Sequence, residues 1–227
     1  SAKTACDSTS SRRILAVSWK PSISASRANI IQSRLALASR ENAVASPSIP
    51  TTIVSGAIDS ATIVDESVAS GELPEAYVSR VVDAKLDAAL QDLAVRGEAP
   101  RFGAVLAADT AVVLDGDVLG KPVDDDHAVQ MISALSGREH VVATCFAVSA
   151  PDGSRRRSQT VATRVAFRAL HADEVLRYVA TGEGRDKAGS YAIQGIGAFA
   201  VARISGSYSN VVGLPQCEVI DALLAEP

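Results

Sequence analysis

Apolar residues recur at three- and four-residue steps between Pro74 and about Val95, on Tyr77, Val78, Val81, Val82, Ala89, Leu90 and Leu93. That spacing predicts an amphipathic helix, with Pro74 suited to its first turn. Lys85 follows Val81 by four residues and so falls on the apolar stripe. It reads either as a lysine whose stem snorkels along that stripe or as one directed into a pocket for an anion. The period then changes. Residues 104–108 form a continuous apolar run, a buried strand, and 110–114 with 118–119 flank Asp115-Gly116, which predicts a tight hairpin. Asp124, Asp125 and Asp126 supply the cap and first-turn acids of a helix that carries Ala128, Met131, Ile132 and Leu135 on one face and stops at Gly137.

Further along, 140–149 and 159–167 alternate as strands, joined through Pro151-Asp152-Gly153 and a basic run, 155–157, which reads as a solvated hairpin tip. Residues 172–181 predict a short helix closed by Gly182, 198–204 a strand, and 215–224 a final helix. Order is weaker upstream. Residues 1–34 show no sustained period, 35–38 and 51–54 are short strand-like runs, and Ser46-Pro47-Ser48-Ile49-Pro50 breaks the chain between them. Strands and helices alternate irregularly, so the expectation is one α/β fold with a mixed sheet over 35–227, preceded by a separate segment, 1–34.

Composition narrows the function. Hydrophobic residues make up 47% of the 227 residues, enough for a sizeable core, while the aromatic 4% is too little for a base-stacking platform. A net charge of -4 argues against a nucleic-acid partner. Residues 1–34 depart from that average, with six basic groups against one acid and many serines, as in an organelle transit peptide or a solvated leader. Cys6, Cys145 and Cys217 form no pair spaced for zinc or a disulfide framework, which points to a reducing, cytoplasmic setting. No apolar run approaches a membrane span, so no membrane association is expected.

Two stretches could carry chemistry. Asp109 closes the apolar run 104–108, where α/β folds commonly place reactive groups, and a carboxylate there can hold a divalent metal or accept a proton from attacking water. Thr110 adds a hydroxyl next to it, and Lys121, held between Gly120 and Pro122, can neutralise phosphate. The second stretch, 186–197, is glycine-rich; Lys187 suits phosphate and Gln194 offers both a donor and an acceptor to a base edge. By itself that loop reads equally as a structural turn. His127, His140 and His171 have no partner at metal-ligand spacing and read as structural.

In order and nearly in spacing, Asp65-Glu66-Ser67, Pro74-Glu75, Tyr77-Val78, Arg80, Lys85, Ala108-Asp109-Thr110, Leu119-Gly120-Lys121-Pro122, Leu135-Ser136-Gly137-Arg138, Gly182-Glu183, the 186–195 loop and Asn210-Val211-Val212-Gly213-Leu214-Pro215 resemble the Maf family of nucleoside triphosphate pyrophosphatases. The resemblance spans about 55–225. It implies an inosine-triphosphatase-like fold, with a central twisted sheet flanked by helices, and a homodimer. It further implies hydrolysis of a nucleoside triphosphate to the monophosphate and pyrophosphate with Mg²⁺ or Mn²⁺. Asp109 matches the proton acceptor, and Glu66 with Asp109 the metal ligands. Lys85, Lys121 and Lys187 match the phosphate pocket, and Thr110 and Gln194 match positions tied to base selection. Ile193-Gln194-Gly195 is similar to the branch acting on dTTP and UTP rather than the one acting on 7-methyl-GTP.

The chain departs from the family at its front. Leu35-Ala36-Leu37-Ala38-Ser39 looks like the family's opening strand, but Arg40-Glu41-Asn42 follows instead of the phosphate-gripping Ser-Pro-Arg-Arg loop. A partial copy, Ser8 to Arg13, lies upstream and offers Arg12 and Arg13 as phosphate ligands. The upstream copy is the favoured reading; loss of the loop leaves a catalytically weak nucleotide binder.

Overall fold

The computed structural model describes residues 13–17, 52–56, 64–97 and 103–225, with side chains from 64 onward. In chain order the elements are β1 (Arg13–Val17), β2 (Thr52–Gly56), α1 (Pro74–Val95), β3 (Ala104–Leu114), β4 (Asp117–Leu119) and α2 (Asp125–Leu135). They continue with β5 (Glu139–Ser149), β6 (Arg155–Phe167), α3 (Ala172–Ala180), β7 (Val201–Ser205), α4 (Tyr208–Val212) and α5 (Gln216–Leu224). Among the described residues the strands form one seven-stranded sheet in the order β2-β1-β3-β5-β6-β7, with β4 folded back on β3. β1 runs parallel to β2 and β3, and the other pairs are antiparallel, so the sheet is mixed as expected.

Alternation along β3 sends its side chains to two different layers. Val105, Ala107 and Ala111 meet Val78, Val81, Val82 and Leu86 of α1, together with Cys145 and Ala147 of β5. Val112 and Leu114 face the other way, into a cluster with Ile132 and Leu135 of α2 and Val175 and Tyr178 of α3. Ala104 and Leu106 join Phe146 and Val148 beneath Val219 and Ala222 of α5. The helical period read from 74–95 therefore becomes the cover of one sheet face. Cys145 is a buried core residue, as its apolar setting suggested.

Several expectations change. β3 is continuous through Asp109, which pairs with Cys145 in the middle of the ladder with β5 rather than closing a strand. A carboxylate is tolerated there because a lysine neutralises it from α1. The basic run 155–157 is the start of β6, with Arg157 opposite Val148; the turn is the preceding 150–154, closed by the Ala150 N–H on the Ser154 carbonyl. Ile196–Ala200 winds into a 3-10 helix, so β7 begins only at Val201. The short α4 had no apolar period to reveal it. It is set by its ends, with the Ser207 side chain accepting from the Asn210 N–H and Gly213 closing it at a φ of 117°.

At the front, β1 lies inside the segment expected to precede the domain, because the apolar run after Arg13 is long enough to pair on both sides. Ile14 stands opposite Ala104, five residues before Asp109. The Arg13 backbone is therefore roughly 20 Å from Asp109 along the strand, at about 3.3 Å per residue. The reading of Arg13 as a phosphate ligand therefore rests on a backbone position at the start of β1, six residues back along the strand from the level of Asp109. Arg12 and the expected strand at 35–38 lie outside the described residues.

Candidate active site

Asp109 projects from β3 toward α1, and α1 returns Lys85 to it across the layer. Lys85 Nζ is 2.8 Å from Asp109 Oδ1 and 2.6 Å from Glu66 Oε1, with 3% of the lysine side chain exposed. Read from the sequence as snorkelling or as aimed at an anion pocket, this lysine is buried and ion-paired with two carboxylates of the chain itself. Lys121, just beyond β4, reaches the other Glu66 oxygen at 3.0 Å from a largely solvated position. Four of the residues singled out from sequence thus form one alternating chain of charge: Asp109, Lys85, Glu66, Lys121.

Glu66 lies on no helix or strand, so its position needs a cause. α1 supplies it. The Tyr77 hydroxyl donates to the Glu66 carbonyl at 3.1 Å, and the Arg80 guanidinium donates to the carbonyls of Asp65 and Ser67. Arg80 is itself held by a two-toothed pair with Glu72, at 2.7 and 2.8 Å. Such planar pairs fix direction as well as charge. Arg80 was one residue in the resemblance with no role attached; its partners are 8 to 15 residues away, beyond any helical spacing rule.

Burial pushes the Glu66 carboxyl upward, but hydrogen bonds and charge from Lys85 and Lys121 outweigh it and hold the group below its ordinary value. Tyr77 is pushed up to about 12, first by burial and then by the charges of Asp109 and Glu66, so it stays a donor. Among the described residues no three His, Cys, Asp or Glu side chains gather as a ready-made metal cage. Two carboxylates with hard oxygens do suit Mg²⁺ or Mn²⁺, which bind through one or two carboxylates plus phosphate and water. The donor set fits.

Thr110 points to the opposite face from Asp109. Its hydroxyl is 2.9 Å from that of Thr144 and reaches the Gly213 carbonyl at 3.5 Å. Thr144 in turn donates to the Asn210 carbonyl, and the buried Asn210 amide donates to Val142 O and Thr163 Oγ1. The hydroxyl adjacent in sequence is therefore not adjacent in space, because neighbouring strand residues alternate faces.

The 186–197 loop lies on the Thr110 side. Lys187 pairs with Asp186 at 2.5 Å, and Gln194 is exposed. The Gly189 N–H donates to the Gly120 carbonyl at 3.0 Å, so the loop meets the hairpin one residue from Lys121. Glycine is required there, since φ is 65° and a Cβ would come within 2.9 Å of Val112. Tyr191 anchors the loop in the core, its hydroxyl 2.8 Å from His140 Nε2 and its ring edge-on to His140 and Phe167. The histidines behave as structural residues: His127 Nδ1 accepts from the Val123 N–H, and His171 precedes α3 as its N-cap. The carboxylate–lysine chain and the glycine loop thus sit on different faces of the sheet and meet at Gly120-Lys121.

The family model described as Maf-like protein matches residues 22–226. The chain belongs to the Maf family. The dTTP/UTP pyrophosphatase of Geotalea uraniireducens is 48% identical over 160 residues, covering 70% of this chain and 79% of that protein. The dTTP/UTP pyrophosphatase of Shewanella denitrificans is 47% identical over 162 residues, 71% and 78% of the two chains. The solved nucleoside-triphosphatase / dITP/XTP pyrophosphatase of Mycobacterium abscessus aligns over 70% of this chain and 75% of its own at 15% identity. Its TM-score of 0.36 is too low to bear on the fold. No helix among the described residues is long and apolar enough to cross a membrane.

Proposed function

We propose that this Maf-family chain hydrolyses nucleoside triphosphates, dTTP and UTP foremost, to the monophosphate and pyrophosphate. The observation that carries the reading is the chain Asp109–Lys85–Glu66–Lys121, which joins a candidate base to phosphate-neutralising cations in one half-buried site. Lys85 holds Asp109 Oδ1 and so orients the carboxylate that accepts the proton of water attacking the α-phosphorus. The bond from that phosphorus to the β-phosphate bridge breaks, and pyrophosphate leaves. Lys121 and Lys187 neutralise charge on the leaving phosphates. Mg²⁺ or Mn²⁺, held by Glu66 and Asp109, supplies Lewis-acid neutralisation when bound. Thr110 and Gln194 select the base, with the pyrimidine preference supported by the names of the relatives. The scattered cysteines support a cytoplasmic setting, and a homodimer follows from the family resemblance.

A second reading, a weakly catalytic nucleotide binder, is favoured by the position of Arg13 at the far end of β1 from Asp109. A pyrophosphate-release assay with dTTP, UTP and 7-methyl-GTP in Mg²⁺ and Mn²⁺ separates the two. Turnover of dTTP and UTP that is lost in Asp109→Asn is the expected result. Nucleotide binding with no turnover in either metal would establish the weak binder instead.

A further inference from the structure

Glu183 lies just past the end of α3, eleven residues before Gln194, and plays no part in the charge chain around Asp109. Each oxygen of its carboxylate takes a backbone donor: Oε1 accepts from the Ile196 N–H and Oε2 from the Gly197 N–H, both at 2.8 Å. These are the first two amides after Gln194-Gly195. A Cβ at Gly195 would fall 1.8 Å from Glu183 Oε1, so the carboxylate packs directly on that glycine. The near side of the same turn is held from α3 itself. The Tyr178 hydroxyl accepts from the Ala192 N–H at 3.2 Å, and the Gly195 N–H donates to the Ala192 carbonyl. A Cβ at Gly197 would come within 2.8 Å of the Tyr178 hydroxyl, which leaves no slack on that side either. The backbone of Gln194 is thus bracketed, by Tyr178 before it and Glu183 after it. Hydrogen bonds to an ionised carboxylate are about twice as strong as neutral ones, and a carboxylate receiving two of them fixes both position and direction.

We propose that Glu183 is a positioning residue for base recognition: its carboxylate clamps the turn at Ile196 and Gly197 and so sets where Gln194 meets the base. The assignment rests on the reading of Gln194 as a base-selecting residue. Loosening the clamp changes which base is preferred more than it changes the chemistry at Asp109, because that site lies on the other face of the sheet.

The test is Glu183→Gln, which keeps the side-chain size but turns an amide NH₂ toward one of the two backbone donors. The dTTP-to-dGTP ratio of kcat/KM is expected to fall about tenfold or more, through a higher KM for dTTP with kcat within about threefold. Gly195→Ala, which drives a methyl into the same carboxylate from the loop side, is expected to give the same loss. In a Gln194→Ala background, Glu183→Gln should add nothing further, the signature of two residues acting as a unit. A ratio unchanged by Glu183→Gln while Gln194→Ala lowers it overturns the clamp alone. An equal fall for both nucleotides accompanied by a lower melting temperature assigns Glu183 a merely structural role and also overturns it. A ratio unmoved by Gln194→Ala itself overturns the base-reading assignment, and the clamp's role with it.

Discussion

The Lys85 ammonium lies 2.8 Å from the Asp109 carboxylate in the middle of β3, where only 10% of the aspartate side chain is exposed. The same ammonium touches Glu66, so one buried cation separates two carboxylates contributed by different parts of the chain. Removing one member of a buried ionic group leaves the others uncompensated, at about 3–5 kcal/mol. Lys85→Met is therefore expected to lose about that much folding free energy by urea denaturation. Adding Glu66→Gln to it should restore part of the loss, since one stranded charge is then gone. Additive losses would show that the lysine does not bridge the pair.

Glu66→Gln is expected to raise the Mg²⁺ concentration for half-maximal turnover roughly tenfold, because one of the two carboxylates proposed to hold the metal becomes a neutral amide. The same variant has a pH signature. The folded-state pKa of Glu66 lies below its unfolded value, so the stability it confers is present above about pH 4.5 and is lost as pH falls through the folded pKa. Wild type and Glu66→Gln should accordingly begin to converge in stability as pH falls below about 4.5 and meet only once it has passed below the lowered folded-state pKa, measured by denaturation across pH.

His140 titrates in a different window. Burial pushes its pKa down to about 4, partly opposed by the charge of Glu139. The folded ring binds its proton less readily than the unfolded one, so its contribution is full above about pH 6.5 and declines as pH falls toward 4. At about 1.4 kcal/mol per unit the loss amounts to about 3 kcal/mol. His140→Gln should flatten the stability profile between pH 6.5 and 4. An unchanged slope would show that the ring is not held neutral against Tyr191.

Gly189 is expected to resist substitution. Alanine at a φ of 65° costs about 1–2 kcal/mol, and its methyl would also press on Val112. Gly189→Ala should lower the melting temperature, and Val112→Ala added to it should relieve the contact but not the backbone strain. Full rescue by the second change would show that crowding alone explains the glycine.

Asn210→Ala should cost about 2–3 kcal/mol, since the carbonyl of Val142 loses its buried donor and a small cavity opens beneath Thr163. Thr110 would be affected indirectly, through Thr144.

How far the chain could be read depended on the range of the interaction. The periods of α1 and α2, the Asp115-Gly116 turn and the stop at Gly137 are local, governed by spacing and φ preferences within a few residues. All four were legible. The 3-10 helix at Ile196–Ala200 and the short α4 were not, because each is set by caps: a Glu183 carboxylate thirteen residues away, and the Ser207 hydroxyl with Gly213. The continuity of β3 through Asp109 was missed for a similar reason. A charged residue interrupts an apolar pattern on paper, whereas a lysine 24 residues upstream compensates it in the fold.

The sequence by itself determined the family, the pattern of helices and most strands, and the identity of the acids and lysines suited to phosphate chemistry. Residue types and local spacings carry that information directly. Only the tertiary structure decided that Lys85 is paired rather than snorkelling, that Thr110 turns away from Asp109, and that Arg13 opens a strand beside β3 at the end distant from Asp109. Those outcomes follow from which face a strand residue occupies and which element crosses over it. Both depend on pairing partners tens of residues apart, which no local period encodes.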